Sequence, residues 1–340
     1  MSISVSLVSA AVIAHRGASG HRPEHSLAAY LLAAEQGADA VEPDVVLSKD
    51  GVPVVRHENE ISATTDVASR PEFAARRRSR SVDGRMLTGW FTEDFTWEEL
   101  STLRTREPHP ALRPDSAAHD GEGTVLRLRD VLGVCDRARP DGSRPGAVVE
   151  IKHAAHFGGL GLDVVAAITD ELAEAGWAEG GDRLVIESFE PTALRRVAER
   201  MPQTRRVLLL ESSGVPFDLA SAHAAGRGPI PSDTAELLTD AGLDRLSSEF
   251  AGISVDKELL VGDGARGADL VGAAHDRGLL VYTWTLRPEN AFLEESHRTG
   301  RAGGLGDWQA EFADVFATGV DGVFADHPDL ALAARRSALA

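Results

Sequence analysis

Glu42-Pro43-Asp44 and Glu150-Ile151-Lys152 are the segments of this 340-residue chain whose residue types and spacing best suit chemistry. In an extended strand, side chains two apart share a face, so each pair would present both charged groups to one side. Three carboxylates, Glu42, Asp44 and Glu150, directed at one opening would repel one another unless protons or a cation neutralised them. An all-oxygen set suits one hard divalent cation, Mg²⁺ or Ca²⁺, rather than zinc or copper. His15-Arg16-Gly17 and His57 add two imidazoles that titrate near neutral pH and one fixed cation. Singly, each feature is weak, because acidic pairs are common on solvated strand faces of so acidic a chain. Their order, spacing and strand position are what join them.

Those groups need a scaffold that brings strand ends together. Short β-rich runs are expected at Ala11–His15, Ala40–Val46, Ala147–Ile151, Leu184–Glu187, Arg206–Leu210, Gly252–Val255, Leu279–Thr283 and Gly322–Ala325. Helical patterns follow at Ser26–Gln36, Leu162–Ala175, Pro191–Arg200, Gly267–Arg277, Gln309–Thr318 and Pro328–Ala338. Pro191 and Pro328 suit a first helical turn, and Gly37, Gly278 and Gly319 suit helix ends. This alternation predicts an α/β protein of the TIM (β/α)8 barrel class, read as a single domain over residues 1–340. A doubly wound open sheet is disfavoured, because no glycine-rich fingerprint follows the first strand. Two stretches break the alternation: residues 58 to about 125, with one helical piece near Trp97–Leu103, and residues 212 to about 232. Both are expected to be irregular excursions capping one rim.

Composition narrows the function. Apolar residues make up 43% of the chain, enough for a full core, while the net charge of −18 disfavours nucleic acid and anionic lipid surfaces as partners. Any anionic substrate must then meet locally placed positive charge. Arg76, Arg77, Arg78 and Arg80 cluster without interleaved aromatics and read as a solvated loop. Cys135 is the single cysteine, which excludes an intrachain disulfide and a cysteine-based zinc site. The apolar stretch Val5–Ala14 has no basic flank and reads as a strand rather than a signal sequence. With no run near the ~20 apolar residues of a membrane span, the expectation is a cytoplasmic location without stable membrane insertion.

The segment HRGASGHRPEHSLAAY at 15–30 resembles the opening block of the glycerophosphodiester phosphodiesterase family. VEPDVVLSKDGVPVVRHE at 41–58, EIK at 150–152, SF at 188–189 and GVFADHPDLA at 322–331 are similar to its later blocks, in order. The family folds as a barrel of this type, with Val52–His57 as a hairpin excursion. The resemblance implies metal-dependent hydrolysis of small glycerophosphodiesters, such as glycerophosphocholine or glycerophosphoethanolamine, to sn-glycerol 3-phosphate and an alcohol. It implies that Glu42, Asp44 and Glu150 hold the cation and that His15 and His57 are general acid and base. Arg16 and Lys152 would bind phosphate, and Ser188, Phe189 and Trp284 would line the alcohol side. Departures from the pattern are His25 for the usual Asn, Glu58 for Asp and Glu187 for Gln, while Glu24 is retained. The segment GWFTEDFTWEEL at 89–100 resembles an insertion of the bacterial enzymes and is expected to form a lid over the glycerol end. Two competing readings are a phospholipase of the same barrel type acting on intact lipids and a catalytically silent barrel that binds phosphodiesters.

Overall fold

Valine- and leucine-rich runs pair in parallel and close on themselves. The computed structural model describes residues 10–262 and 265–338. Its strands are β1 (Ala11–His15), β2 (Ala40–Glu42), β3 (Asp44–Leu47), β4 (Pro53–Val55), β5 (Arg78–Val82), β6 (Arg85–Gly89), β7 (Leu126–Arg127), β8 (Gly146–Ile151), β9 (Leu184–Ser188), β10 (Arg205–Leu210), β11 (Gly252–Asp256), β12 (Leu280–Leu286) and β13 (Gly322–Ala325). Pro43 cannot donate a ladder hydrogen bond and separates β2 from β3, which act together as the second barrel strand. Parallel pairing runs β1–β2, β2/β3–β8, β8–β9, β9–β10, β10–β11, β11–β12, β12–β13 and back to β1. The circuit is the expected eight-stranded TIM barrel. β4 returns antiparallel to β3 and pairs with β7, so Val52–His57 is a hairpin and not a barrel strand. Of the apolar stretch Val5–Ala14, Ala11–Ala14 lie in β1 and residues 5–9 fall outside the described residues.

The barrel interior explains how a core becomes a site. Ile13, Val148, Val185, Val207, Tyr282 and Phe324 form a buried cluster of their own inside the strands, with Ala40, Leu280 and Trp284 against it. Side chains repeat on one face every two residues. Two positions further along the same strands stand His15, Glu150, Glu187, Leu209, Trp284 and Asp326, and Glu42 follows Ala40 in the same way. One layer of the barrel is therefore apolar and the next is mostly polar, with Leu209 and Trp284 as its apolar members. The second layer sits at the C-terminal mouth, where barrel enzymes carry their chemistry.

Helices cover the outside in the expected order, and Pro191–Arg200 and Pro328–Ala338 match their predicted limits. Three features differ from expectation. The helix Leu128–Cys135, which completes the second β/α unit, escaped notice because it is short, contains Gly133 and follows the irregular excursion. The stretch 212–232 is not wholly irregular: Phe217–Ala224 is helical, and buried Asp218 anchors it by accepting from the backbone N–H and hydroxyl of Thr192. The arginine cluster is not a solvated loop. Arg78 and Arg80 lie on the β5–β6 hairpin and pair with Asp94, Arg80 also with Glu93, while Arg76 pairs with Glu99 and covers the Phe73 and Phe95 rings. The acidic residues that make the chain so negative supply these partners.

Gly17 is needed twice over. Its φ is +82°, and a Cβ there would meet the Ala29 backbone carbonyl carbon at 2.7 Å, because the chain packs against the start of helix Leu27–Gln36. Gly17→Ala is expected to cost about 1–3 kcal/mol in backbone strain and a similar amount in overpacking. Urea unfolding with a lowered midpoint and an unchanged m-value would confirm it; an unchanged midpoint would refute it.

Candidate active site

A cavity of about 380 Å³ opens at the C-terminal mouth, lined by His15, Arg16, Glu42, His57, Glu150, Lys152, Glu187, Phe189 and Trp284 among others. Six of the seven charged residues singled out by their spacing thus share one opening; Asp44, the seventh, is buried beside it. Strand register places them: His15 lies opposite Glu42, Asp44 opposite Glu150, and Glu150 opposite Glu187.

The carboxylates that converge most closely are Glu42, Glu150 and Glu187, all buried, with one oxygen from each within 4.8 Å of the others. Asp44 borders this cluster, held by His25 Nε2 at 3.0 Å, Arg16 Nε at 3.3 Å and Lys152 Nζ at 3.3 Å. Glu187 therefore occupies a place for which its strand position gave no warning beyond being an acid where Gln is usual. Burial, then mutual repulsion with the other acids, pushes Glu42 and Glu187 well above the usual carboxylate range. Glu150 rises to about 8 for the same reasons, against the pull of Lys152 at 2.7 Å. Asp44, although buried, is held well below that range by Lys152, His57, His25 and Arg16. Glu42 Oε1 and Glu187 Oε2 are buried without any hydrogen-bond partner. Buried acceptors without partners are costly, and converging oxygens of this kind fit a hard divalent cation.

The cationic side chains are fixed by the acids around them. Arg16 adopts φ 59°, donates its backbone N–H to Glu42 Oε2 at 2.8 Å and pairs through Nη1 with Glu24 at 2.9 Å. That pairing and the nearby Asp44 more than offset burial and raise the Arg16 pKa further. Glu24, despite burial, is lowered to about 2 by Arg16 and serves that arginine rather than the carboxylate cluster. Lys152 Nζ lies 5.6 Å from the Phe189 ring centre. His25 is fully buried, and its φ of 57° is a left-handed conformation that Asn and His tolerate better than most residues. Its ring bonds Asp44 on one side and the Tyr30 hydroxyl, 2.7 Å away, on the other. His25 thus combines a left-handed backbone conformation with a ring donor to Asp44.

Each histidine has a carboxylate at Nδ1: Asp326 at 2.6 Å for His15 and Glu58 at 3.1 Å for His57. Burial and Arg16 push His15 down to about 4, against the pull of Asp326. Burial, Arg16 and Lys152 push His57 down to about 3. With Nδ1 turned to a carboxylate, each ring leaves Nε2 for proton exchange.

The alcohol-side candidates divide. Phe189 and Trp284 line the cavity with ring centres 5.7 Å apart, edge to face. Ser188 does not reach it: strand alternation turns Glu187 inward and Ser188 outward, where its hydroxyl donates to the Ile151 carbonyl and accepts from the Glu190 N–H. The lid expectation is also corrected, since none of the lining residues comes from 59–125. The wall there is built instead by Arg287, Ala291, Phe292, Leu293, Glu294 and Arg298 after β12, a segment the sequence pattern did not mark. Asp326 was likewise visible only as part of the last block of the family resemblance, GVFADHPDLA at 322–331, with no signal that it would meet His15.

Comparison with known proteins bears on what this mouth does. Residues 15–330 match the family model described as the glycerophosphoryl diester phosphodiesterase family. The chain is 30% identical over 298 residues to glycerophosphodiester phosphodiesterase GDPD6 of Arabidopsis thaliana, covering 83% of this chain and 75% of that relative. Its fold is similar to a crystal structure from Silicibacter pomeroyi, with a TM-score of 0.68, 24% identity and coverage of 97% and 94% of the two chains. It is also similar in fold to an Oleispira antarctica phosphodiesterase solved with sn-glycerol-3-phosphate, with a TM-score of 0.63, 21% identity and 96% of each chain covered. A match that spans every block gathered at the barrel mouth leaves one assignment: the chain belongs to the glycerophosphoryl diester phosphodiesterase family.

Proposed function

We propose that this protein hydrolyses glycerophosphodiesters to sn-glycerol 3-phosphate and an alcohol, with a divalent cation held at the barrel mouth. The observation that carries the proposal is the joining of three partner-poor buried carboxylates, two cations and two oriented histidines around one cavity. A relative of the same fold is bound to sn-glycerol-3-phosphate, the product such a reaction releases.

A phosphodiester carries one negative charge and poor leaving groups, so its hydrolysis needs charge neutralisation and proton transfer on both sides. A cation bound by Glu42, Glu150 and either Asp44 or Glu187 would supply Lewis acidity and charge neutralisation. Arg16 and Lys152, both positioned by acids and both facing the cavity, would hold the phosphate oxygens. His15 and His57 are both carboxylate-oriented at Nδ1. The neutral ring of the pair would take a proton from the attacking water at Nε2. The other would have to carry a proton on Nε2, as an imidazolium facing its carboxylate, to give it to the departing alkoxide. Phe189 and Trp284 offer an apolar wall for carbon atoms of the substrate. We read the chain as one barrel domain carrying this site.

The size and wall of the cavity favour a small soluble substrate over an intact lipid. Among the described residues no helix is long and apolar enough to cross a membrane. Glycerophosphocholine in solution and phosphatidylcholine in vesicles separate the two readings. Glycerol 3-phosphate release from the first, with neither phosphocholine nor phosphatidate from the second, is expected; turnover of vesicles alone would establish the phospholipase reading.

A further inference from the structure

The excursion at 58–125 stays out of the cavity, yet it reaches both histidines, His57 through its own Glu58 and His15 through Asp326. Asp83, at the β5–β6 turn with φ 46°, places Oδ2 2.5 Å from His153 Nδ1. His153 Nε2 faces Glu58 Oε2 at 3.5 Å, and Glu58 Oε1 lies 3.1 Å from His57 Nδ1. The two carboxylates outweigh burial and raise His153 to about 9; its Nδ1 hydrogen-bonds Asp83, while Nε2 faces Glu58 at ion-pair distance without a hydrogen bond. On the other side Arg113, whose side chain is buried, donates Nη2 to Asp326 Oδ2 at 2.6 Å and Nε to Glu289 Oε1 at 2.6 Å. Asp326 Oδ1 then meets His15 Nδ1 at 2.6 Å, with Arg287 on its second oxygen at 2.8 Å.

We propose that the 58–125 excursion is a brace that orients the two proton-transfer histidines, through Asp83–His153–Glu58 to His57 and through Arg113–Asp326 to His15. The inference rests on the reading of His15 and His57 as that pair. In both chains a carboxylate lies at Nδ1 and is itself paired with a basic side chain, tightly for the buried Asp326 and at ion-pair distance for the half-exposed Glu58, so swinging the ring breaks a contact with a carboxylate. Asp83 and Arg113 touch no cavity surface and are positioning residues. The excursion does not depend on them for attachment. Phe91, Phe95, Leu100 and Leu103 are buried, Lys49 N–H donates to the Phe95 carbonyl, and Glu93 Oε1 lies 2.9 Å from His156 Nε2.

Asp83→Asn and Arg113→Met are expected to lower kcat for glycerophosphocholine tenfold or more, since small misplacements of reacting groups cost up to ~10²-fold. KM should stay within twofold. Asp83→Glu should recover part of the loss. Asp83→Asn should cost nothing further in a His57→Ala background, and Arg113→Met nothing further in His15→Ala. An undiminished loss in those backgrounds, or an unchanged kcat in both single variants, overturns the brace. A second measurement needs no turnover: side-chain ¹⁵N spectra of histidine-labelled protein, assigned through His15→Ala and His57→Ala. Asp83→Asn should move the His57 ring signals and leave His15, with the reverse for Arg113→Met. Unmoved signals overturn the brace even if the natural substrate is not glycerophosphocholine, whereas absent wild-type turnover with moved signals overturns the substrate reading alone.

Discussion

His57→Ala and His15→Ala are each expected to lower kcat by ~10²–10⁴-fold, the range for one positioned acid or base, while the fold persists. Both rings line the cavity, and each has Nδ1 committed to a carboxylate, so neither substitution removes a structural prop from the barrel wall. His15 ends β1 inside the mouth and His57 follows the β4 hairpin outside the barrel circuit. They therefore approach the cavity from different elements. Steady-state kinetics with circular dichroism decides the matter. Retained turnover in either variant would remove that histidine from proton transfer; lost turnover with lost helix signal would show a folding defect instead.

The second large effect concerns the cation. Glu150→Ala and Glu42→Ala are expected to abolish Mg²⁺ or Ca²⁺ binding. Changes to groups behind metal ligands already cost about 10–100-fold, so deleting a direct oxygen donor should exceed that. Thermal unfolding reads this without activity. A cation at one hundred times its Kd stabilises the wild-type fold by about 2.7 kcal/mol, and the variants should show no such gain. In EDTA the order should invert or level, because removing one of three crowded buried acids relieves repulsion. A cation-dependent rise in Tm that survives Glu150→Ala would show that the ion sits elsewhere. Glu187→Gln and Asp44→Asn, measured alongside, report which of the two completes the ligand set.

Much of the barrel was legible because its rules are local. Short β-rich runs placed β1, β10, β11 and β13 within a residue or so, and proline at the first turn placed Pro191–Arg200 and Pro328–Ala338. The site was legible from order more than from spacing. Glu42 and Asp44 were expected to share one face as a strand pair, yet Pro43 divides the strand and the two carboxylates meet different partners. Glu187 enters the carboxylate cluster through register with Glu150, which is a property of strand pairing and not of its own neighbourhood in sequence. Asp326, Arg113 and Asp83 were hidden for a similar reason. Each acts across more than sixty positions, between chain segments whose meeting depends on closure of the barrel and on where an irregular excursion folds back. The arginine cluster misled because its acidic partners, Glu93, Asp94 and Glu99, lie beyond a hairpin turn.

One assay bears on the centre of this reading most directly: release of glycerol 3-phosphate from glycerophosphocholine by the wild-type protein, first in EDTA and then with Mg²⁺ or Ca²⁺ restored. Release should be absent in EDTA, return with a divalent cation, and fail to return in Glu150→Ala. Undiminished release in EDTA, or no release with any cation and any headgroup, would contradict hydrolysis at this carboxylate-lined mouth.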